Sequence, residues 1–317
     1  MKTALVLGGG GTVGLAYHAG VLRALEVETG FSPDDAEVII GTSAGSVMGA
    51  YLRSGMTTED MWLLSRGEHP SKPAFGGASH DSQPDLFQPT WNNPADILRH
   101  LVGSAYVLAR AISPFPLRPP AALKALFPGG LFTLEEGRKR FAEELPAEWP
   151  DKALWVTTVD IVSGRRVVLG RPGAPTVDLP RAVLASAAIP GIYQPVQVGR
   201  RSLIDGGAHS TSNLDLAVQA GVDRIIGVVP MAFDTAIPPG PLGQLIRRIP
   251  AQMLASEVAL AKRRGIEVLM FRPSAGEVRD HGFNLMRPNG LERVAELAYE
   301  STLRTLKTDR FAEAFAA

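Results

Sequence analysis

The sequence predicts an α/β protein of three layers, α/β/α, in which helices cover both faces of a mostly parallel central sheet. Two observations lead to this fold class. Short apolar segments with the length of buried strands recur along the chain, and helical patterns separate most of them. Strands that are apolar throughout are typical of a parallel sheet that is buried on both faces.

The N-terminal part of the chain begins with two strand–helix units. Residues Thr3–Leu7 form an apolar strand that ends in four consecutive glycines, and a helix is predicted over 13–28 with Gly30 as its stop. The second strand lies within 37–41 and leads into a helix-compatible segment at 46–52. Both units therefore turn from strand to helix at a glycine-rich sequence.

The middle of the chain departs from this alternation. Residues 66–94 are rich in Gly, Pro, Ser and His, which is typical of a long loop. An apolar segment with helical spacing follows at 96–112, and a proline cluster ends it. We interpret the region at about 66–130 as a cap-like insertion in a single domain that covers 1–317, because no repeat and no stronger boundary is visible.

The alternation of strands and helices resumes after a helix at 134–144. Five further strands are predicted at 154–160, 166–169, 202–204, 223–229 and 266–271, with helices at 252–264 and 291–306. The first two of these strands are expected to pair, because Ser163-Gly164 between them has the composition of a turn.

The composition excludes several classes of function. Lys plus Arg equals Asp plus Glu at 32 each, without a long basic block, so nucleic acid is not an expected partner. The absence of cysteine excludes disulfides, thiolate metal sites and a cysteine nucleophile. No group of acidic or histidine residues has metal-ligand spacing. We therefore expect no metal and no organic cofactor.

The distribution of apolar residues predicts a cytoplasmic protein. No stretch of 18 or more uncharged apolar residues is present, and the apolar run at the N-terminus is shorter than that of an export signal. Peripheral contact with a membrane stays open as an alternative. The sequence does not indicate an oligomeric state.

The pentapeptide Gly41-Thr42-Ser43-Ala44-Gly45 places a serine between the second strand and its helix. In this context G-x-S-x-G forms a tight elbow that exposes the serine hydroxyl, and the flanking glycines avoid a collision of side chains. The sequence therefore predicts Ser43 as a nucleophile; the alternative is a simple glycine-rich loop.

The glycine run after the first strand has two interpretations. Its closely spaced amides at a helix start could bind a tetrahedral oxyanion, with the amide of Ala44 as a further donor. Gly9-x-Gly11-x-x-Gly14 also fits the dinucleotide-binding pattern. That pattern needs an acidic residue at the end of the second strand, where this chain has the serine elbow instead. The oxyanion interpretation is favoured.

The general base is either a histidine or an aspartate. Six histidines are present: His18, His69, His80, His100, His209 and His281. The first is expected to be an ordinary helix residue and the next three to be exposed, whereas the last two come late enough for a Ser…Asp…His order. The elbow of such triad hydrolases usually follows several strands, well past residue 43. Asp205, which ends a short strand and precedes two glycines, is therefore the stronger candidate.

Four blocks together resemble the patatin-like phospholipase family, whose members hydrolyse lipid acyl esters with a Ser-Asp dyad. The blocks are LGGGGTVGLAYHAGVLRALE at 7–26, GTSAGS at 41–46, ASAAIPGIYQPV at 185–196 and LIDGG at 203–207. The segment TTVDIVSGRRVVL at 157–169 also resembles paired strands of the family. The resemblance covers about the first 230 residues in order and spacing, and it implies a patatin-like fold.

The resemblance also implies the roles of individual residues. Ser43 would be the nucleophile, Asp205 would take its proton, and the amides of Gly9, Gly10 and Gly11 would form the oxyanion hole. The expected substrate is a lipid or another acyl ester. The block around Pro190 would help to shape the site, although a purely structural loop is an equal alternative.

One departure from the family pattern leaves a second function open. Members usually carry Arg or Lys where this chain has Val13. Without that charge the protein could be a weak or inactive member that binds lipid or regulates, unless another base such as Arg200 or Arg201 replaces it. A dinucleotide-binding protein that uses the Gly9–Gly14 pattern is the remaining alternative.

Overall fold

The computed structural model describes residues 1–71, 97, 100–105, 129–233 and 241–316. The predicted insertion at about 66–130, and with it most of the helix expected at 96–112, lies largely outside these residues. The interpretation of the chain as a single domain with a cap stays a prediction.

Eight strands of the described chain form one mixed sheet. They are β1 (Thr3–Leu7), β2 (Val38–Thr42), β3 (Ala153–Asp160), β4 (Arg165–Leu169), β5 (Val196–Val198), β6 (Arg201–Asp205), β7 (Arg224–Val228) and β8 (Glu267–Phe271). Their order is β5-β6-β3-β2-β1-β7-β8, and β4 also pairs with β3. The pairings among β8, β7, β1, β2 and β3 are parallel, whereas β4, β5 and β6 join in antiparallel fashion. The predicted mostly parallel sheet is confirmed.

The helices predicted at 13–28, 46–52, 134–144, 252–264 and 291–306 are present with shifted ends. The α-helices of the described residues are α1 (Gly11–Thr29), α2 (Ala44–Arg53), α3 (Thr58–Arg66), α4 (Glu135–Glu144), α5 (Leu179–Ser186), α6 (Asp215–Gln219), α7 (Pro241–Arg263), α8 (Ala275–His281), α9 (Leu291–Leu306) and α10 (Asp309–Ala316). Five of these, namely α3, α5, α6, α8 and α10, were not predicted from the sequence. Among the described residues, no helix combines the length and the apolar character that a bilayer span requires.

Helices cover both faces of the sheet, as the side chains of β1 show. Leu5 and Leu7 belong to one core cluster with α1, α2 and α9, whereas Ala4 and Val6 belong to a second cluster with α6 and α7. Successive side chains of a strand point to opposite faces. The apolar segments of the parallel strands therefore fill two cores at once, which explains why they lack polar alternation.

The length of β3 decides where the end of β6 lies. β2 pairs with one edge of β3 up to the rung Thr42↔Thr157. The same edge continues beyond β2, and β6 occupies it from the opposite direction, beginning with the rung Thr158↔Asp205. Because one strand runs parallel and the other antiparallel to β3, their C-terminal ends meet. Ser43, which follows β2, therefore lies beside Asp205.

Candidate active site

Ser43 lies at a strained turn between β2 and α2. Its φ and ψ are 53° and −120°, a conformation that few residues other than glycine adopt. A Cβ added to Gly45 would lie 1.9 Å from the carbonyl oxygen of Leu7, and one added to Gly41 would lie 2.5 Å from the Cα of Ser46. Both flanking glycines are therefore required by backbone contact, in agreement with the elbow that the sequence predicts.

The carboxylate of Asp205 lies close enough to the Ser43 side chain for the serine to lower its pKa. It also accepts a hydrogen bond from the amide of Gly207 at 2.7 Å. Asp205 is only 5% exposed, and burial raises its pKa from 3.8 to about 6, although Ser43 and the hydrogen bond from Gly207 oppose this rise. At neutral pH Asp205 is therefore a charged carboxylate that binds a proton more readily than an ordinary aspartate.

The backbones of both residues are held by the block that contains Pro190. The amide of Ser43 donates to Ser186 Oγ at 2.9 Å, and that hydroxyl donates to the carbonyl of Thr157 at 2.8 Å. The amide of Asp205 donates to the carbonyl of Ala188 at 2.9 Å. This block therefore fixes the backbone positions of Ser43 and Asp205. The sequence alone did not single out Ser186.

The glycine run packs directly against Ser43. A Cβ added to Gly9 would lie 3.3 Å from Ser43 Cβ. The amide of Gly9 donates to the carbonyl of Thr211 at 2.8 Å, whereas the amides of Gly10 and Gly11 have no acceptor among the described residues. The three amides are thus not equivalent. The Gly9 amide already donates a hydrogen bond within the protein, whereas those of Gly10 and Gly11 could donate to an oxyanion.

Val13 belongs to the first turn of α1, and its side chain is fully buried in the core that this helix covers. Neither Arg200 nor Arg201 replaces the positive charge that family members carry at this position. Arg200 and Arg201 are exposed, and Arg201 starts β6 four residues before Asp205, about 13 Å away at roughly 3.3 Å per residue. Arg201 instead approaches Asp160 at 3.9 Å.

The residues in front of the glycine run leave little space for a nucleotide. A Cβ on Gly11 would lie 2.4 Å from the carbonyl oxygen of Leu285 and 2.8 Å from Met286 Sδ. The hydroxyl of Thr12 donates to the carbonyls of Leu285 and Arg287, at 3.1 and 2.7 Å. A segment of the chain therefore covers the helix N-terminus where a pyrophosphate would bind.

No described histidine ring contacts Ser43 or Asp205. His281 Nδ1 accepts a hydrogen bond from Arg247 Nη2 at 3.1 Å. The His281 ring packs edge-on against Tyr17, and burial lowers its pKa to about 3. His209 is exposed. Within the described part of the chain, no histidine therefore completes a triad with Ser43, and Asp205 is the titratable group that interacts with the serine.

The predictions for the earlier histidines were partly wrong. His18 is in α1 as expected, but it is fully buried, and its Nε2 hydrogen bonds to the carbonyl of Gly8 at 2.7 Å. His100 was expected to be exposed and is 7% exposed, because its ring packs inward and Nδ1 hydrogen bonds to the carbonyl of Gly130 at 3.0 Å. His69 is half-buried near Asp60. His80 lies outside the described residues.

A cavity of about 490 Å³ lies at the free edge of β8, between α7 and the pair α9 and α10. Its lining includes Tyr17, Phe233, Met270 and Phe311 but neither Ser43 nor Asp205. This cavity is therefore separate from the serine and does not define an acyl-binding pocket for it.

Comparison with known proteins gives one family. The family model described as patatin-like phospholipase matches residues 5–218, a range that contains the elbow, the Asp205 loop and the glycine run. Among curated proteins, none matches the chain significantly.

The solved structures to which this chain is similar include proteins of Legionella pneumophila and Pseudomonas aeruginosa. VipD from Legionella pneumophila has a TM-score of 0.46 and 14% identity, over 96% of this chain and 66% of that one. The type III effector protein ExoU has a TM-score of 0.41 and 19% identity, over 96% and 53%. The complex of ExoU with SpcU from Pseudomonas aeruginosa gives the same TM-score and identity, over 100% and 52%. The chain thus spans about half to two thirds of the length of these proteins.

Proposed function

This chain belongs to the patatin-like phospholipase family, and from that premise we propose that it is a serine acyl hydrolase that cleaves carboxylic esters of lipids through Ser43 and Asp205. The observation that carries the proposal is the contact between a strained serine and a buried carboxylate. Ser43 has φ 53°, and its side chain interacts with Asp205, which is only 5% exposed.

The reaction begins when Ser43 Oγ attacks the ester carbonyl and Asp205 takes the hydroxyl proton. The tetrahedral oxyanion receives hydrogen bonds from backbone amides; those of Gly10, Gly11 and Ala44 have no acceptor among the described residues. Collapse of the intermediate expels the alcohol, which takes the proton from Asp205. Water then attacks the acyl-enzyme while Asp205 takes its proton, and collapse of the second intermediate returns that proton to Ser43 Oγ and releases the acid.

The environment of Asp205 suits an aspartate that acts without a histidine. A general base is most effective when its pKa lies near the working pH. Burial raises the pKa of Asp205 to about 6, so the group is ionised at neutral pH and still a much stronger base than an exposed aspartate. No cofactor is needed for this chemistry.

The substrate class follows from the family rather than from a pocket. We propose phospholipids, lysophospholipids, acylglycerols or simple acyl esters, with contact at a membrane surface as the means of reaching insoluble substrates. Nucleic acid is not a proposed partner, because the net charge of the chain is +0.

Covalent labelling of Ser43 tests the proposal. The purified protein is treated with a fluorophosphonate, the labelled peptide is identified by mass spectrometry, and hydrolysis of a short p-nitrophenyl ester is measured in parallel. We expect the label on Ser43, and we expect Ser43→Ala to lose both labelling and hydrolysis while remaining folded. Full activity of Ser43→Ala would falsify the proposal.

Ser54 offers a matched control at the other end of α2. Its Oγ is buried and has no hydrogen-bond partner in the part of the chain that the structure describes, so Ser54→Ala should keep both labelling and turnover. If the wild type binds phospholipid vesicles but shows neither labelling nor turnover, the alternative of an inactive lipid-binding member is supported. The buried Val13, with no described arginine in its place, is the observation that motivates this alternative.

A further inference from the structure

The turn Ser210–Asn213 contacts all three segments of the candidate site. The carbonyl of Thr211 accepts the amide of Gly9 at 2.8 Å. Asn213 Nδ2 donates to Thr42 Oγ1 at 3.0 Å, and it lies 3.4 Å from the carbonyl oxygen of Gly206. Thr42 precedes the nucleophile and Gly206 follows the base, so one amide group touches the chain on both sides of the dyad.

The orientation of the Asn213 amide is fixed by its other neighbours. Arg166 Nη1 donates to Asn213 Oδ1 at 2.9 Å, and a guanidinium has no acceptor. The opposite side of the amide faces the carbonyl of Ser210 as well as Thr42 and Gly206, which all offer oxygen atoms. Oδ1 therefore faces the arginine and Nδ2 faces the oxygens.

Arg166 is itself held in place by a two-point ion pair. Its Nη1 and Nη2 donate to the two carboxylate oxygens of Asp215 at 2.7 and 2.6 Å. Both side chains are half-buried. Asn213 is fully buried and has φ 50°, a conformation that asparagine tolerates better than most residues. The amide is thus a rigid support rather than an adaptable surface group.

The dyad depends on such a support, because its two residues come from strands that are not hydrogen bonded to each other. Within the sheet, the ends of β2 and β6 are joined through successive rungs on β3. We propose that Asn213 is a positioning residue that fixes the distance between Ser43 and Asp205 by holding Thr42 and Gly206 together; this inference rests on the proposed function. Asn213 touches neither the reacting atoms nor a substrate.

The variant Asn213→Asp tests this role in the full chain. Asp keeps the size, the pairing with Arg166 and the tolerance of the left-handed conformation, but it removes the two N–H donors. A misplacement of about 1 Å can lower a rate about 100-fold, so we expect kcat for a p-nitrophenyl ester to fall by about that factor with KM little changed. We also expect the fluorophosphonate label to form more slowly.

The pH profile separates positioning from stability. Burial raises the pKa of Asp205 to about 6, and the Ser43 side chain opposes this rise. A loosened dyad therefore moves the acidic limb of the labelling rate to higher pH, and the uncharged variant Thr42→Val measures this shift without the carboxylate that Asn213→Asp adds. Ser301→Ala is the control: it removes a 2.8 Å hydrogen bond to the buried Glu277 on the other side of the fold, so it should lower the Tm without changing kcat or the acidic limb.

Thr42→Val gives a second approach if Asn213→Asp does not fold. It keeps the shape of the side chain but removes the oxygen that accepts from Asn213, and the same loss in kcat and the same shift of the acidic limb are expected. Wild-type kcat and an unshifted limb in either folded variant would overturn the inference. If wild-type Ser43 is not labelled at all, the proposed function fails first and this inference fails with it.

Discussion

Replacing Asp205 by Asn should make the protein inactive and more stable at neutral pH. The amide has nearly the same shape as the carboxylate, its Oδ1 can still accept from the amide of Gly207, and its Nδ2 can donate to Ser43. The substitution therefore keeps the local hydrogen bonds and removes a buried negative charge. The charge is what burial disfavours.

The size of the effect follows from the pKa of Asp205. Burial raises it from 3.8 to about 6, and each pKa unit corresponds to about 1.4 kcal/mol. Between these two values the folded protein holds a proton that the unfolded chain has lost, so wild-type stability falls as pH rises through this window. Above about pH 6 the loss is complete at about 3 kcal/mol. The Asn variant has no such loss.

Urea unfolding at about pH 4 and about pH 8 measures this difference. We expect Asp205→Asn to exceed the wild type by up to about 3 kcal/mol at the higher pH and to match it at the lower pH. Ser43→Ala is the control, because it is also expected to be inactive but keeps the buried carboxylate, so it should show no gain at high pH. An Asn variant that is less stable than the wild type at high pH, or whose advantage is independent of pH, would refute the reasoning.

Two further substitutions test the packing around the site. Val13→Arg places the charge that family members carry into a fully buried position, so we expect a loss of several kcal/mol in urea unfolding; a folded variant that hydrolyses p-nitrophenyl esters faster than the wild type would contradict this. Gly45→Ala should yield little folded protein in a solubility and circular-dichroism assay, because its Cβ would lie 1.9 Å from the Leu7 carbonyl oxygen. Gly276→Ala, in α8 with no atom closer than 3.7 Å to the added Cβ, is the matched control and should stay as stable as the wild type or gain about 0.5–1 kcal/mol. A well-folded Gly45→Ala protein would show that α2 can move away from β1.

The agreement between sequence and structure is best where the determining contacts are local. The strands at 154–160, 223–229 and 266–271 and the helix Leu291–Leu306 were predicted within one or two residues, because their apolar patterns are long and continuous. The short strand Val196–Val198 was missed, since its three residues are partly exposed and show no apolar pattern. The helix Leu179–Ser186 was also missed, although Pro follows its first residue and Asp178 caps it.

The residues that hold the backbones around Ser43 and Asp205 could not be found in the sequence. Ser186 and Asn213 are ordinary polar residues in small-residue segments, and their roles depend on partners far away in the chain. Ser186 Oγ accepts from Ser43 across 143 positions, and Asn213 Nδ2 donates to Thr42 across 171 positions. A polar residue that is buried with every hydrogen bond satisfied becomes visible only when its neighbours are known.

The sequence by itself determined the serine elbow, the glycine run and the mostly parallel sheet. Each of these depends on residues that are adjacent in the chain: a turn that admits only glycine on both sides of Ser43, and apolar segments that must be buried on two faces. Only the tertiary structure decided that Asp205 contacts Ser43, that its pKa lies at about 6, and that the amide of Gly9 is engaged by Thr211. These properties have two causes. β6 pairs antiparallel with the part of the β3 edge that extends beyond β2, and the Asp205 carboxylate is buried. Both are set by the packing of distant segments rather than by any local pattern.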